Sequence, residues 1–118
     1  MNILEQIAAQ TRERIEAEKR QTPTEELIRQ IKATEQKKSK QSFYEALKKP
    51  GMSYICEVKK ASPSKGLIAS DFPYLDIARE YEAAGASAIS CLTEPFRFLG
   101  KDAYLQEIAA QVEIPVLR

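Results

Sequence analysis

The 118-residue chain is almost electrically neutral, because 18 Lys and Arg are balanced by 17 Asp and Glu. No bulk charge draws it to nucleic acid or an anionic membrane, so we expect a small-molecule or protein partner. Its length and its 43% of hydrophobic residues allow one buried core at most. No apolar run approaches the ~18 residues of a membrane span, and the first ten residues do not resemble a signal peptide, so we expect a cytoplasmic location.

The residue types that are missing narrow the possible chemistry. The chain contains no His, which excludes imidazole bases, Ser-His-Asp triads and His-ligated metal sites. Acid and base catalysis would therefore use carboxylates and lysines. Cys56 and Cys91 stand alone in strand-like runs, so we expect two buried free thiols and neither a zinc site nor a disulfide framework.

Two segments of different composition meet at Lys49-Pro50-Gly51. Residues 1–49 are highly charged and follow helical spacing, whereas residues 50–118 alternate between strand-like and helical runs. We therefore predict a helical extension over 1–49 and an α/β segment over 50–118. A short basic run at residues 37–40 is expected to be a solvated loop or helix end.

Three helices are predicted in the extension. The first shows an apolar stripe, the second begins at a capping signature around Thr22 and Pro23, and the third begins at Ser42. An apolar stripe on a charged helix must pack against another surface. The positions expected to face inward are Ile3, Leu4, Ile7, Ala8, Thr11 and Ile15 in the first helix and Leu27, Ile28 and Ile31 in the second.

Strand-like and helical runs alternate after Gly51. The predicted strands are 53–58, 88–92 and 114–117, and the predicted helices are 73–84, stopped by Gly85, and 101–111. The inward positions are Ile77, Ala78 and Tyr81 in one helix and Leu105, Ile108 and Ala109 in the other. A helix between each pair of strands indicates right-handed βαβ units and a parallel sheet. Since a complete (β/α)8 TIM barrel needs ~250 residues, we expect an incomplete barrel of three strands in a chain that looks truncated.

A carboxylate and an ammonium end the first predicted strand. Glu57 and Lys59 are two residues apart, so their side chains point to the same face, at the strand end where barrels place active sites. On an apolar strand such charges are costly unless they pair or meet a charged ligand. A structural ion pair and a pair tuned for proton transfer explain this spacing equally well.

Two loops could add binding groups. Residues 60–66 carry hydroxyls, backbone donors and cations that suit an anion, although many ordinary turns have this composition. Phe96 and Phe98, after the second strand, could stack on an aromatic substrate or close the end of the core, and core closure is the favoured interpretation.

Taken together, these residues resemble a known family. Residues 55–64, I-C-E-V-K-K-A-S-P-S, are similar to the first-strand motif E-x-K-x-x-S-P-S of indole-3-glycerol-phosphate synthase of tryptophan biosynthesis. The likeness continues through Asp71-Phe72, Gly85-Ala86, residues 89–94, Phe98, Gly100 and residues 114–118. It spans nearly the whole chain, and the helical preface also fits the family.

The resemblance implies a TIM-barrel carboxy-lyase that needs neither metal nor cofactor. Its reaction converts 1-(2-carboxyphenylamino)-1-deoxyribulose 5-phosphate to indole-3-glycerol phosphate, carbon dioxide and water. Glu57 would hydrogen-bond the reacting part of the substrate, and Lys59 would neutralise its anionic groups and donate a proton. Ser62 and Pro63 would lie against the anthranilate end, while Phe98 would supply an apolar wall.

The resemblance also implies that part of the site lies beyond this sequence. In the family, Ile-Pro-Val-Leu-Arg is followed by Lys-Asp-Phe, whose lysine is the main candidate for the general acid, and later strands add a glutamate base and phosphate-binding loops. We therefore expect no turnover from the 118 residues alone, and self-association through exposed strand edges. The alternatives are a non-catalytic interaction module and another phosphosugar barrel such as phosphoribosylanthranilate isomerase.

Overall fold

In the computed structural model, residues 1–34 and 41–118 are described. The chain divides into two compact units, Met1–Ser39 and Lys40–Arg118. The predicted basic run at 37–40 lies outside the described residues. The predicted boundary between the helical extension, 1–49, and the barrel segment, 50–118, stays a prediction. In the described part of the chain, no helix combines the length and the apolar character needed to cross a membrane.

Within residues 1–34, the described part of the first unit, the chain forms two helices, α1 (Ile3–Gln21) and α2 (Thr24–Thr34). A capping box starts α1, because the Asn2 side chain accepts from Glu5 N at 2.8 Å and the Glu5 carboxylate accepts from Asn2 N at 3.0 Å. Each bond satisfies a backbone donor that the first helical turn leaves without a partner. Both helices lie where the sequence predicts them.

The apolar stripes of the first unit are less buried than predicted. Leu27, Ile28 and Ile31 of α2 are 46%, 46% and 58% exposed, and no residue of either helix is fully buried. In α1 the side chains of Ile3, Leu4 and Ile15 are also exposed, whereas Ile7, Ala8 and Thr11 are partly buried. The prediction of inward-facing side chains is therefore wrong for the six exposed positions, because two helices have too little surface to enclose a side chain on all sides.

The second unit begins with a short helix and continues as an α/β segment. Ser42 caps α3 by accepting from Glu45 N at 3.1 Å, which confirms the predicted cap. The elements are α3 (Phe43–Lys48), β1 (Ile55–Val58), β2 (Ala61–Ser62), β3 (Gly66–Leu67), α4 (Tyr74–Ala83), β4 (Ala88–Cys91), α5 (Asp102–Gln111) and β5 (Val116–Leu117).

Three strands form the predicted parallel sheet, in the order β1-β4-β5. Ile55 pairs with Ala88, and Ile89 pairs with Val116. Because α4 and α5 connect the strands, each connection is a βαβ crossover. The strands are shorter than predicted by up to two residues, while the two helices differ from their predicted bounds by only one residue at an end. The sequential strand order is that of the start of a (β/α) barrel.

Helices cover one face of this sheet and leave most of the other open. Val58, Ile89 and Cys91 point to the covered face and pack with Ala78 of α4 and Ile108 of α5 in the buried core cluster. Of the four remaining predicted inward positions, Ile77, Tyr81 and Leu105 are partly buried against this cluster, and Ala109 is partly buried. On the other face, Ala88 at the amino end of β4 is 0% exposed, and α3 contacts β4.

The loop after β1 contains a small hairpin that the sequence does not predict. Ala61 pairs with Leu67 and Ser62 with Gly66 in antiparallel register. Its turn is held by a bond from Lys65 N to the Ser62 hydroxyl at 3.2 Å. Two-residue strands give no alternating pattern long enough to distinguish them from a loop.

Candidate active site

The structure brings Glu57 and Lys59 together at the carboxyl end of β1. Lys59 Nζ lies 3.5 Å from Glu57 Oε2. Glu57 pairs in the sheet with Ser90, which is only partly buried, so both charged side chains stand on the face that α4 and α5 do not cover. The pairing that the strand spacing predicted is therefore present.

This ion pair is accessible to solvent. The Lys59 and Glu57 side chains are 30% and 45% exposed. An ion pair at such exposure contributes about 0–1 kcal/mol to stability, because water and salt screen both charges. The fold therefore gains little from the two residues, and their charged ends can reach a ligand.

A tyrosine fixes the backbone beneath the pair from the helical side. The Tyr81 hydroxyl of α4 donates to the carbonyl oxygen of Glu57 at 2.9 Å. Burial, together with the neighbouring Cys56 thiol and Glu57 carboxylate, raises the pKa of Tyr81, so the hydroxyl keeps the proton that it donates. This contact positions the end of β1 without occupying the open face.

The predicted substrate-binding residues Ser62 and Pro63 lie in the hairpin that follows. Ser62 is 7% exposed, and its hydroxyl is 3.5 Å from the Ser64 hydroxyl in addition to accepting from Lys65 N. Pro63 is exposed at the turn. Ser62 thus shapes the turn, and Pro63 gives it an open apolar surface.

The second predicted apolar residue, Phe98, lies in the loop between β4 and α5. Leu92 N donates to Val58 O at 3.2 Å, so this loop leaves the sheet beside the end of β1 that carries Lys59. Phe98 is partly buried and Phe96 is 58% exposed. Neither belongs to the buried core cluster, which contradicts the expectation that these rings close the core.

Sequence reasoning missed the residue that shapes this loop, Glu94. Its carboxylate accepts from the backbone N–H groups of Phe96, Arg97 and Phe98 at 2.9, 2.7 and 2.9 Å. The only sequence signal is an acidic residue just after a strand, which does not show that three donors converge on it. A second missed contact joins the ends of β4 and β5, where Arg118 donates to Thr93 Oγ1 at 3.1 Å.

The five predicted site residues thus fall at one edge of the sheet. Among the described residues, the Glu57–Lys59 ion pair is the one direct polar contact that joins two of these five side chains. Ser62, Pro63 and Phe98 follow the ends of β1 and β4. Within residues 1–34 and 41–118, no three His, Cys, Asp or Glu side chains come close enough to hold a metal ion.

The two cysteines are free and differ in burial. Cys91 is 1% exposed, and this burial raises the pKa of its thiol to about 11, so it is unreactive near neutral pH. Cys56 is only partly buried. The expectation of a buried free thiol is therefore confirmed for Cys91 and wrong for Cys56, because Cys56 lies on β1, an outer strand of the sheet.

Comparison with known proteins decides the family. A family model described as "Indole-3-glycerol phosphate synthase" matches residues 4–118. The chain belongs to the indole-3-glycerol phosphate synthase family. It is 54% identical over 116 residues to a protein of that name from Endomicrobium trichonymphae and 50% identical over 116 residues to one from Ruminiclostridium cellulolyticum. A third, from Lachnoclostridium phytofermentans, is 48% identical over 126 residues.

The chain spans less than half the length of these relatives. The three comparisons each cover 98% of this chain but only 46%, 45% and 44% of the relative. Membership of the indole-3-glycerol phosphate synthase family and the parallel β1-β4-β5 sheet confirm the predicted fold class, part of a TIM barrel. The match also favours the synthase over phosphoribosylanthranilate isomerase.

Proposed function

We propose that this chain supplies the first-strand corner of an indole-3-glycerol phosphate synthase active site. The reaction is the decarboxylating ring closure of 1-(2-carboxyphenylamino)-1-deoxyribulose 5-phosphate. The observation that carries the proposal is the solvent-accessible Glu57–Lys59 pair at 3.5 Å, at the carboxyl end of β1, in a chain whose residues 4–118 match the synthase family. Active sites of TIM barrels lie at this end of the strands.

Lys59 and Glu57 have complementary roles in this reaction. The substrate loses its carboxylate as carbon dioxide and a former carbonyl oxygen as water, so the site must neutralise an anion and deliver protons. The Lys59 ammonium suits both tasks because it is a point charge with rotatable donors. The Glu57 carboxylate lies 3.5 Å from that ammonium and accepts a hydrogen bond from the reacting part of the substrate.

Ser62, Pro63 and Phe98 form the proposed binding surface. The open apolar face of Pro63 and the partly buried Phe98 ring suit the aromatic anthranilate end of the substrate. Ser62 holds the turn that carries Pro63 through its bond from Lys65 N. We propose no metal and no cofactor, since lysine and carboxylate chemistry is sufficient for the proton transfers.

The remaining partners follow from charge and chemistry. We propose a small-molecule substrate and no nucleic-acid partner. The formal charge is only +1, whereas binding the phosphate backbone of a nucleic acid requires several clustered cations. A cytoplasmic location is supported by the two cysteines, both of which are free, as is usual in reducing compartments.

The proposal is tested in a chimaera that restores the family's length. This chain replaces the matched part of the Endomicrobium trichonymphae relative, with which it shares 54% identity, and the relative supplies the rest. We expect turnover, and we expect Lys59→Met or Glu57→Gln to lower kcat by about 10²-fold or more, the usual effect of losing a proton-transfer group. Formation of indole-3-glycerol phosphate is followed by fluorescence.

Two control variants separate chemistry from general damage. Lys49→Met and Glu80→Gln make the same exchanges at exposed positions of the second unit and should leave kcat unchanged. Equal activity in the Lys59→Met and Lys49→Met chimaeras would instead support the non-catalytic interaction module. The 118-residue chain alone is expected to give no product, because it holds only part of the catalytic set.

A further inference from the structure

The loop from Thr93 to Gly100 is the second structure at the carboxyl edge of the sheet. It leaves β4 beside β1, because Val58 pairs with Cys91 and Leu92 N donates to Val58 O at 3.2 Å. It carries Phe98 and ends at the helix α5. Its conformation therefore determines where Phe98 stands relative to Lys59.

A single carboxylate organises this loop. Glu94 Oε1 accepts from Phe96 N at 2.9 Å, while Oε2 accepts from Arg97 N at 2.7 Å and from Phe98 N at 2.9 Å. The backbone carbonyl of Glu94 also accepts from Gly100 N at 2.8 Å, which closes the loop. Bonds from neutral N–H groups to a charged acceptor are roughly twice as strong as bonds between neutral groups.

The rest of the loop has little freedom to compensate. Leu99 has φ 52°, in the left-handed region that costs a non-glycine residue energy. At Gly100 a Cβ atom would lie 2.3 Å from the carbonyl oxygen of Leu92, so the backbone there is pressed against the end of β4. A strained backbone of this kind persists only when the surrounding structure imposes it. The three hydrogen bonds to the Glu94 carboxylate impose it on this loop.

We propose that Glu94 is a positioning residue, whose carboxylate fixes the backbone of residues 96–98 and thereby sets the place of Phe98 for binding the aromatic end of the substrate. This inference rests on the proposed function and deepens it. Glu94 acts through Phe98 and not on the reacting atoms, so it affects substrate binding more than the chemical step. Its loss should raise KM and leave kcat nearly unchanged.

Glutamine is the most informative substitution at this position. The amide of Glu94→Gln has one acceptor oxygen, and its NH2 group donates where the carboxylate accepted. Either the Phe96 N–H or the pair from Arg97 and Phe98 then loses its acceptor. In the chimaera we expect Glu94→Gln to raise KM about tenfold, with kcat within about threefold of the parent.

Glu82 provides a control, because its carboxylate also accepts from backbone N–H groups, at the other end of the sheet. Its carboxylate accepts from Glu113 N at 2.7 Å and Ile114 N at 3.1 Å, in the segment that precedes β5. Glu82→Ala leaves two backbone donors without this acceptor and so reduces stability. It should leave KM unchanged, since those donors lie away from the predicted site.

A double-mutant cycle with Phe98→Ala tests the route of the effect. If Glu94 acts by placing the Phe98 ring, KM in the double variant is no higher than in the worse single variant, because the ring is already absent. If the two substitutions instead raised KM by the product of their separate effects, the proposal would be overturned. An unchanged KM in Glu94→Gln, or an equal rise in Glu82→Ala, would also overturn it.

Two further measurements keep the test decisive. Amide hydrogen exchange at residues 96–98 needs no activity, and unchanged exchange in Glu94→Gln would overturn the proposal whatever the assay shows. If the glutamine variant does not fold, Glu94→Asp and Glu82→Asp are compared instead, and KM should rise only in Glu94→Asp. Failure of the proposed function is seen separately, as a parent chimaera whose activity is absent or insensitive to Lys59→Met.

Discussion

Three side chains near the carboxyl edge of the sheet bond to backbone groups. Glu94 accepts three backbone N–H groups, Ser62 accepts one, and Tyr81 donates to a carbonyl. Glu57 and Lys59 differ, because they meet side chain to side chain in solvent. The first three residues shape the edge, and the last two keep their charges available for a ligand.

Burial of Cys91 makes the stability of the fold depend on pH in the alkaline range. Its folded pKa of about 11 lies above that of an unfolded thiol, about 8.5. The stability present below the unfolded pKa is therefore lost as pH rises through the folded pKa, by up to about 3 kcal/mol. Urea unfolding from about pH 8 to about pH 11 should show this loss in the parent and a shallower loss in Cys91→Ala. Equal slopes would contradict the assignment, since the tyrosines titrate in both proteins.

Two glycines are required for different physical reasons. Gly85 has φ 98° and open space where a Cβ atom would stand, whereas at Gly100 a Cβ atom would lie 2.3 Å from Leu92 O. Gly85→Ala should cost roughly 1–2 kcal/mol of backbone strain. Gly100→Ala should cost more, about 3 kcal/mol, because the obstructing atoms are backbone and cannot rotate away. Urea unfolding at one protein concentration measures both, and a milder effect at Gly100 would refute this account.

At the scale of elements, burial separates the helices of the two units. Ile108 of α5 is 0% exposed and Ile28 of α2 is 46% exposed. Ile108→Ala should therefore lower the free energy of unfolding by about 2–5 kcal/mol through lost contacts and a residual cavity. Ile28→Ala makes the same change where water already reaches the side chain, so it should change the free energy of unfolding by no more than about 0.5 kcal/mol. Similar losses in urea unfolding would show that α2 is buried in solution.

The sequence was sufficient for elements whose signals are local. Helical periodicity, the Ser42 cap and Gly85 after α4 located the helices, and the parallel order followed from alternating strands and helices. The hairpin at 61–67 and the three N–H groups on Glu94 could not be predicted, because they depend on chain geometry over a few residues without a periodic pattern. Burial in α2 was overestimated since amphipathic spacing shows which face is apolar but not whether anything covers it.

At the scale of the whole molecule, the sheet of the second unit has two unpaired edges and an open face within residues 41–118. β1 and β5 are the outer strands, and Tyr54 and Ile55 near the β1 edge are 59% and 47% exposed. Backbone donors and apolar side chains at such an edge invite pairing with another chain. We therefore expect the 118-residue polypeptide to self-associate, with a mass by light scattering that rises with concentration.

A pair of lysine substitutions locates that association. Ile55→Lys places a charge on the β1 edge, which opposes strand pairing, and should shift the mass toward the monomer. Ile31→Lys adds the same charge on α2, where Ile31 is 58% exposed, and should leave the mass unchanged. If Ile31→Lys alone lowered the mass toward that of the monomer, the association would be assigned to the helical unit.

The order in which the strands pair also has a consequence during protein synthesis. Ile55 pairs with Ala88 and Ile89 with Val116, so every strand pairs with the next strand of the sheet across a single helix. Closing loops this short costs little entropy, and chains leave the ribosome from the amino end at about 5–20 residues per second. The corner that holds Glu57 and Lys59 can therefore assemble cotranslationally, from residues 55–117, without waiting for more distant sequence.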